Sequence, residues 1–432
     1  MRTSLTSLRS ARALLLVLLM LLLTLQGCSF LGLGSDAPPT SARASSSSGN
    51  GFDTLVEQVL SNMHLHAWNP QAMTKGVVTG GLYINWKMDD PAQTNRVRPG
   101  PDGSTQSDHD PQVDLLYLTA LAEYHQLHSQ SHTFDDDLRR ATALVLVDFQ
   151  RYSVPKGWIY FYLLKDAQFL GNSGLADEAH AFARNLYTTW YDPALGLVYN
   201  RAHIPGDYQP NHILQGGAAL IDAGHRWHEA GWSVAGERSL DHVLDVAFDP
   251  HYHLFYDSMS VDRSGHEQVQ VNKARPSTEG EAVSALVTAY QLTHHRRYLD
   301  VAGEVLQSLF GSSGLWDRQR GGFFFALQFD SGSVVTSYKE TRSQSLTLIG
   351  LYLYNMLRHQ QFARQEQQLI DVLVQHFYQS SYHGFVYRLT PDFQIYVSKP
   401  GAGIGVEDYF TSEAMGSSLD ALQRTRAPST TL

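Results

Sequence analysis

A unit of roughly 60 residues recurs six times along this chain, and a fixed period of that size means the fold is built from one supersecondary unit. Each unit carries an amphipathic helix, a short aromatic turn, a loop and a second helix. The turns align by eye: Gly80-Gly81-Leu82-Tyr83, Tyr191-Asp192-Pro193 through Tyr199, Phe248-Asp249-Pro250 through Tyr256, Trp316-Asp317 through Phe324, and Tyr382-His383-Gly384-Phe385-Val386-Tyr387. Twelve helices paired as six hairpins close into a ring with a central funnel. The expected fold class is therefore all-α, an (α/α)6 barrel with an inner and an outer ring of helices.

The two helices of each pair differ in kind. First helices are charged, as in Asp135-Asp136-Asp137-Leu138-Arg139-Arg140. Second helices are rich in small residues, as in Gln215-Gly216-Gly217-Ala218-Ala219, Gly280-Glu281-Ala282-Val283-Ser284-Ala285 and Ser412-Glu413-Ala414-Met415-Gly416. Small residues let helices approach closely, so the second helices are assigned to the inner ring and the first to an outer ring with a wet face. The long connections, Lys87 to Asp108, Arg201 to Asn211, Met259 to Pro276, Gln328 to Glu340 and Thr390 to Glu407, then lie together at one end of the barrel.

The ends of the chain read differently. Arg2, Arg9 and Arg12 precede an apolar run from Ala13 to Leu25, followed by Leu25-Gln26-Gly27-Cys28. This resembles a bacterial lipobox, which implies lipidation of Cys28, an extracytoplasmic location and a membrane partner through that lipid; such a segment is set aside before fold reasoning. The expected organisation is a lipoprotein signal peptide at 1–28, a flexible Ser-rich tether at 29–50, the barrel at 51–422 and a disordered tail at 423–432. Cys28 is the single cysteine, so the barrel has no disulfide, thiolate metal site or cysteine nucleophile. No Lys/Arg block follows the signal, which argues against nucleic acid as a partner. The expected form is a monomer.

Helix N-termini carry free N–H groups and partial positive charge, which suit carboxylates and hydroxyl-rich ligands. The six inner-helix starts therefore define the candidate site. They are Asp108-His109-Asp110-Pro111 with Asp114 four residues beyond Asp110 and on the same face, Lys156-Gly157-Trp158-Ile159-Tyr160, Gln209-Pro210-Asn211-His212, Arg275-Pro276 through Glu281, Tyr338-Lys339-Glu340-Thr341-Arg342, and Val406-Glu407-Asp408-Tyr409 with Glu413 a turn deeper. A carboxylate in a first turn also serves as a cap. Carboxylates, a histidine, cations and aromatics at equivalent points of one ring nevertheless fit glycosidic chemistry, which needs an acid for the leaving oxygen and a base or nucleophile.

The six-hairpin plan resembles the (α/α)6 barrel of the six-hairpin glycosidase superfamily, over roughly Phe52 to Leu422. The segment Trp316-Asp317, Gly321-Gly322-Phe323-Phe324 and Asp330-Ser331-Gly332, followed by Lys339 and a small-residue helix, is also similar to sugar 2-epimerases of that barrel class. The tandem Asp-Asp of the superfamily's bacterial mannanases is not present; Asp108-His109-Asp110 is the nearest match. The paired histidines of the epimerases are represented only by His212 and His109. The resemblance implies a glycoside hydrolase acting on oligo- or polysaccharide. Asp110 and Glu281 are then acid and base, with Glu407 or Asp408 as substitutes. Trp158, Tyr160 and Tyr409 are sugar platforms, and His212, Lys339 and Arg342 hold hydroxyls or an acidic group. The alternatives are a 2-epimerase-like isomerase and a non-catalytic sugar-binding lipoprotein. No motif calls for a cofactor or metal: there is no phosphate loop after a strand, no nucleophile elbow and no histidine cluster at the mouth.

Overall fold

The structure is a computed structural model that describes residues 48–74, 77–88, 94–95, 110–150, 152–202, 204–396 and 409–426. The expected signal peptide, Cys28, His109, Glu407 and Asp408 lie outside the described residues, and Tyr409 is described by its backbone alone. Among the described residues no helix is long and apolar enough to cross a membrane.

Among the described residues twelve α-helices alternate between two rings. The odd-numbered ones are outer: α1 Ser48–Asn62, α3 Asp135–Phe149, α5 Ser173–Asn185, α7 Ala230–Val246, α9 Arg296–Gln307 and α11 Ala363–Val372. The even-numbered ones are inner: α2 Pro111–Leu127, α4 Trp158–Leu170, α6 Pro210–Arg226, α8 Pro276–Thr293, α10 Thr341–Leu357 and α12 Ser412–Arg424. The inner helices pack in the order α2, α4, α6, α8, α10, α12 and back to α2, so the ring closes. Helix α2 therefore stands opposite α8.

The small residues do what their size predicts. A Cβ on Gly280 of α8 would meet the Leu346 carbonyl oxygen of α10 at 2.5 Å, and one on Gly350 of α10 would meet the Gly280 oxygen at 2.5 Å. A Cβ on Gly416 of α12 would come 2.8 Å from Leu116 of α2. Inner helices are buried on nearly every side, as from Val113 to Tyr124 in α2, whereas α3 exposes Asp135, Asp136 and Arg139.

The aromatic turns are two-residue β-hairpins that follow outer helices. Tyr191–Asp192 pairs with Leu197–Val198, Phe248–Asp249 with Leu254–Phe255, Tyr378–Gln379 with Gly384–Phe385, Trp68–Asn69 with Gly81–Leu82, and Trp316 bridges Phe323. Asp192, Asp249 and Asp317 open their turns by accepting from the backbone N–H two residues on, at 2.8, 2.9 and 2.9 Å. Each turn then needs a left-handed residue, supplied by Gly196 and Gly321 without a steric penalty and by His253 and His383 with one.

A second repeat ties four of the five hairpins to their inner helices. The fourth residue of four inner helices accepts from a hairpin N–H: Asp114 from Leu82 at 2.8 Å, Glu279 from Phe255 at 3.0 Å, Gln344 from Phe323 at 2.8 Å, and the Met415 sulfur from Phe385 at 3.2 Å. Burial pushes the Asp114 and Glu279 carboxyls well above the usual range, and nearby Asp148 raises Asp114 further. They latch the hairpins to the inner helices through groups whose charged form burial disfavours.

Three expectations are corrected. The mouth connections are not plain loops. They carry small sheets, one joining Gly206–Tyr208, Ser258–Val261 and Glu267–Val271, another joining Lys273–Ala274, Ala326–Gln328 and Ser333–Val335. The last helix starts at Ser412, because Tyr409–Thr411 forms a strand against Asn85–Lys87, and it continues through Arg424. Asp110 and Asp114 do not share a face: Asp110 is the extended N-cap of α2, outside the helical spacing, while Asp114 is buried under Leu82.

Candidate active site

The inner-helix N-termini surround one cavity of about 890 Å³. Pro111, Pro210 and Pro276 occupy the first turns of α2, α6 and α8, where their missing N–H and fixed φ are tolerated. The residue before each proline is extended and turns its side chain into the mouth: Asp110, Gln209 and Arg275 all line it. Thr411, the cap of α12, does the same while accepting from Ala414 N–H at 3.1 Å.

Helical spacing sorts the residues that follow. At 3.6 residues per turn, positions two apart differ by about 200°. The second residues Gln112, Arg342 and Glu413 line the cavity, and the fourth residues point away to the hairpins. Glu281, the sixth residue of α8, returns to the cavity side.

A chain of charges crosses the mouth. Asn211 Nδ2 donates to Glu281 at 2.6 Å. The Arg342 guanidinium lies 3.5 Å from Glu281 and 3.2 Å from Glu413, bridging α8 and α12 from α10 between them. Glu413 holds the guanidinium above its ordinary range despite burial, with Glu281 adding to the effect. Lys156 donates to Gln112 Oε1 at 2.7 Å, and burial together with Arg342 holds its ammonium below the usual lysine range. Burial, reinforced by Lys156, Arg342 and Arg275, keeps His212 well below the usual histidine range, so its imidazole is neutral at pH 7. The mouth of the cavity thus presents three carboxyl groups, Asp110, Glu281 and Glu413, with Lys156, Arg275 and Arg342 and a neutral imidazole.

Of the expected site residues, Asp110, Glu281, Trp158, His212 and Arg342 come together at this cavity. Trp158 stands edge-on to Tyr162 with ring centroids 5.3 Å apart. Tyr160 does not join them. It is fully buried two residues past Trp158, on the other side of α4, and its hydroxyl donates to Asp222. Lys339 is excluded as well. It is fully buried against the fifth hairpin, donating to Asp317 at 2.8 Å, to the Gly321 carbonyl at 2.6 Å and to the Pro391 carbonyl at 3.2 Å, with the Phe393 ring 4.1 Å away. Neither lines the cavity; polar groups inside a barrel wall also need partners. Gln209, Arg275, Glu413, Lys156 and Asn211 stand among the inner-helix starts that the sequence marks out, but the sequence reading assigned none of them a role. The X-Pro step at three inner-helix starts was the available signal for the first two.

No family model matches the chain, and no curated protein matches it. Solved structures do. An unsaturated glucuronyl hydrolase specific for heparin superposes with a TM-score of 0.64 at 12% identity, covering 87% of this chain and 96% of that one. A D-mannose isomerase gives 0.61 at 12% identity, covering 88% and 98%. A GH76 α-mannanase of Bacteroides thetaiotaomicron gives 0.59 at 11% identity, covering 88% and 97%. These likenesses show the fold, an all-α (α/α)6 barrel.

Proposed function

We propose that this chain is a carbohydrate-active enzyme, specifically a glycoside hydrolase that works by paired carboxylates in the barrel funnel. The observation that carries the reading is the placement of Asp110 and Glu281. They stand on opposite helices of the inner ring, α2 and α8, and line the same cavity. Glu281 receives the Asn211 amide and faces the Arg342 guanidinium, contacts that orient it as a base or nucleophile. Asp110, backed by Gln112 at the opposite wall, is the acid that protonates the leaving oxygen. Trp158 offers its ring to a sugar face, and Lys156, His212 and Arg342 address hydroxyls. The fold neighbours named for hydrolysis of glucuronyl and mannosyl substrates are consistent with this reading. The test is a panel of α- and β-linked oligosaccharides, neutral and uronate-containing, across mildly acidic to neutral pH. Hydrolysis of none of them refutes it, and tight binding with intact ligand recovered makes the chain a sugar-binding protein instead.

One observation favours an isomerase as the second reading. A neutral imidazole, His212, faces a cavity that also holds Glu281, a base and a partner for proton movement at a sugar carbon. Incubation with sugar in deuterated water distinguishes the two, because isomerisation exchanges the C2 proton and hydrolysis does not.

The protein is further proposed to be tethered to a membrane through lipid on Cys28. Cys28→Ser is expected to leave the barrel folded and to release it from the membrane fraction. A variant still held wholly in the membrane would mean an uncleaved apolar segment.

A further inference from the structure

The cavity continues far below the mouth. On α8 it is lined by Glu281, Ser284, Thr288 and Gln291, and on α10 by Arg342, Leu346, Ile349 and Leu353. Steps of three, four or seven residues keep to one side of a helix, so these are continuous stripes. The ten residues from Glu281 to Gln291 span about 15 Å.

The wall changes character with depth. From the level of Glu281 downward the wall carries an apolar collar of Leu116, Phe161, Leu164, Leu346, Ile349 and Leu353, with Gln215 and Ser417 at its upper edge and Gln168 and Gln291 at its lower one. From Leu346 to Leu353 the collar is about 10 Å deep. Leu116 and Leu164 retain 8% exposure and Ile349 and Leu353 6%, where other inner-helix leucines such as Leu348 and Leu351 retain none. That residue of exposure faces the cavity. The hydroxyls within the collar are already used: Ser284 donates to the Gly280 carbonyl at 3.0 Å and Thr288 to the Ser284 carbonyl at 2.9 Å. The floor is charged again but internally neutralised. Lys165 donates to Glu123 and, at 2.7 Å, to Asp420; Arg424 pairs with Asp420 at 2.6 Å and Arg226 with Asp222 at 3.2 Å.

A sugar ring lowered into this collar would strip water from its hydroxyls and find few partners. A hydrocarbon chain would lose nothing and bury apolar surface on both sides. We propose that the ligand is an amphiphilic glycoside: a sugar head at the charged mouth and an aliphatic tail in the collar, its length capped by the Asp222, Arg226 and Lys165 floor. This rests on the sugar-handling reading of the mouth and names the class of aglycone it takes.

The experiment is titration calorimetry of the whole protein with hexyl, octyl, decyl and dodecyl glucosides and glucuronides below their micelle-forming concentrations, beside the free sugars. Each methylene that enters the collar is expected to tighten binding about fourfold, with the gain levelling off once the tail reaches the floor. Two plugs on different helices, Ser284→Phe and Ile349→Trp, are expected to abolish the length dependence while leaving free-sugar binding in place. Either plug that melts like the parent suffices. Affinity independent of tail length, or a length dependence untouched by a folded plug, overturns the proposal. If oligosaccharides still bind or are cleaved in that case, the mouth reading stands and only the tail is refuted. If neither free sugars nor alkyl glycosides bind, both fall together.

Discussion

Glu279 and Glu281 lie two residues apart on α8, and the structure assigns them opposite roles. Glu281→Gln keeps the shape and an oxygen to accept from Asn211 Nδ2, now 2.6 Å away. It removes the charge that faces Arg342 at 3.5 Å, but Arg342 keeps Glu413 at 3.2 Å. The stability cost is that of turning one charge-assisted bond into a neutral one, about 1 kcal/mol. In a domain of this size that lowers Tm by no more than about 2–4 °C. The loss of acid–base help is far larger, a fall in kcat of about 10²–10⁴-fold. Glu279→Gln should behave in the reverse way. The bond from Phe255 N–H survives, and the amide replaces a carboxyl whose charged form burial disfavours. Turnover stays parent-like. The sign of the stability effect follows from linkage: a carboxyl whose folded pKa lies above its ordinary 4.5 stabilises below that value and loses the contribution as pH rises through the folded pKa. The Gln variant does not suffer that loss, so its Tm relative to the parent rises from acid to neutral pH. The assays are turnover of an oligosaccharide the parent cleaves and melting curves across pH. Parent-like turnover in Glu281→Gln, or collapse of turnover in Glu279→Gln, refutes the assignment.

Other substitutions probe the frame around the site. Lys339→Met leaves Asp317 buried without its ammonium, and should cost about 3–5 kcal/mol in urea unfolding while the folded fraction keeps its affinity for sugar. Asp166 is fully enclosed and its carboxyl is pushed up from 3.8 to about 8 by burial, so the parent loses stability as pH rises through that interval. Asp166→Asn, which keeps an oxygen for the Thr119 hydroxyl, should flatten the Tm–pH curve there; an unchanged slope counts against it. Gly157→Ala would bring a Cβ within 2.1 Å of the Gln215 carbonyl oxygen, where α4 enters beside α6. It should lower the denaturation midpoint by at least about 1–3 kcal/mol equivalent, since backbone cannot yield cheaply.

Much of the architecture was legible in the chain because it is periodic. The aromatic turns, the charged outer helices and the small-residue inner helices each repeat, and a repeated pattern constrains packing more tightly than any one segment does. Asp110, with proline next to it, was readable as a cap that faces the mouth. Tyr160 and Lys339 were misplaced for a physical reason. A helix start lists polar residues in order, but each further residue turns the side chain by about 100°. Which of them meet the funnel depends on the tilt and contacts of the helix. The hairpin latches were equally hidden, since Asp114, Glu279, Gln344 and Met415 share a position and no chemical type.

The sequence by itself determined that six like units exist, which helix of each faces inward and which polar residues stand near the open end. Those follow from local composition and spacing, which act within a few turns of chain. Only the tertiary structure decided that α2 and α8 stand opposite each other, that Arg342 spans Glu281 and Glu413, and that an apolar collar continues beneath the mouth. Those depend on closure of the ring, which brings together residues 300 and more positions apart, as between Gln423 and Glu123 or Ser412 and Tyr83. Side chains from six separate helices share one cavity only after the last helix has packed against the first inner one.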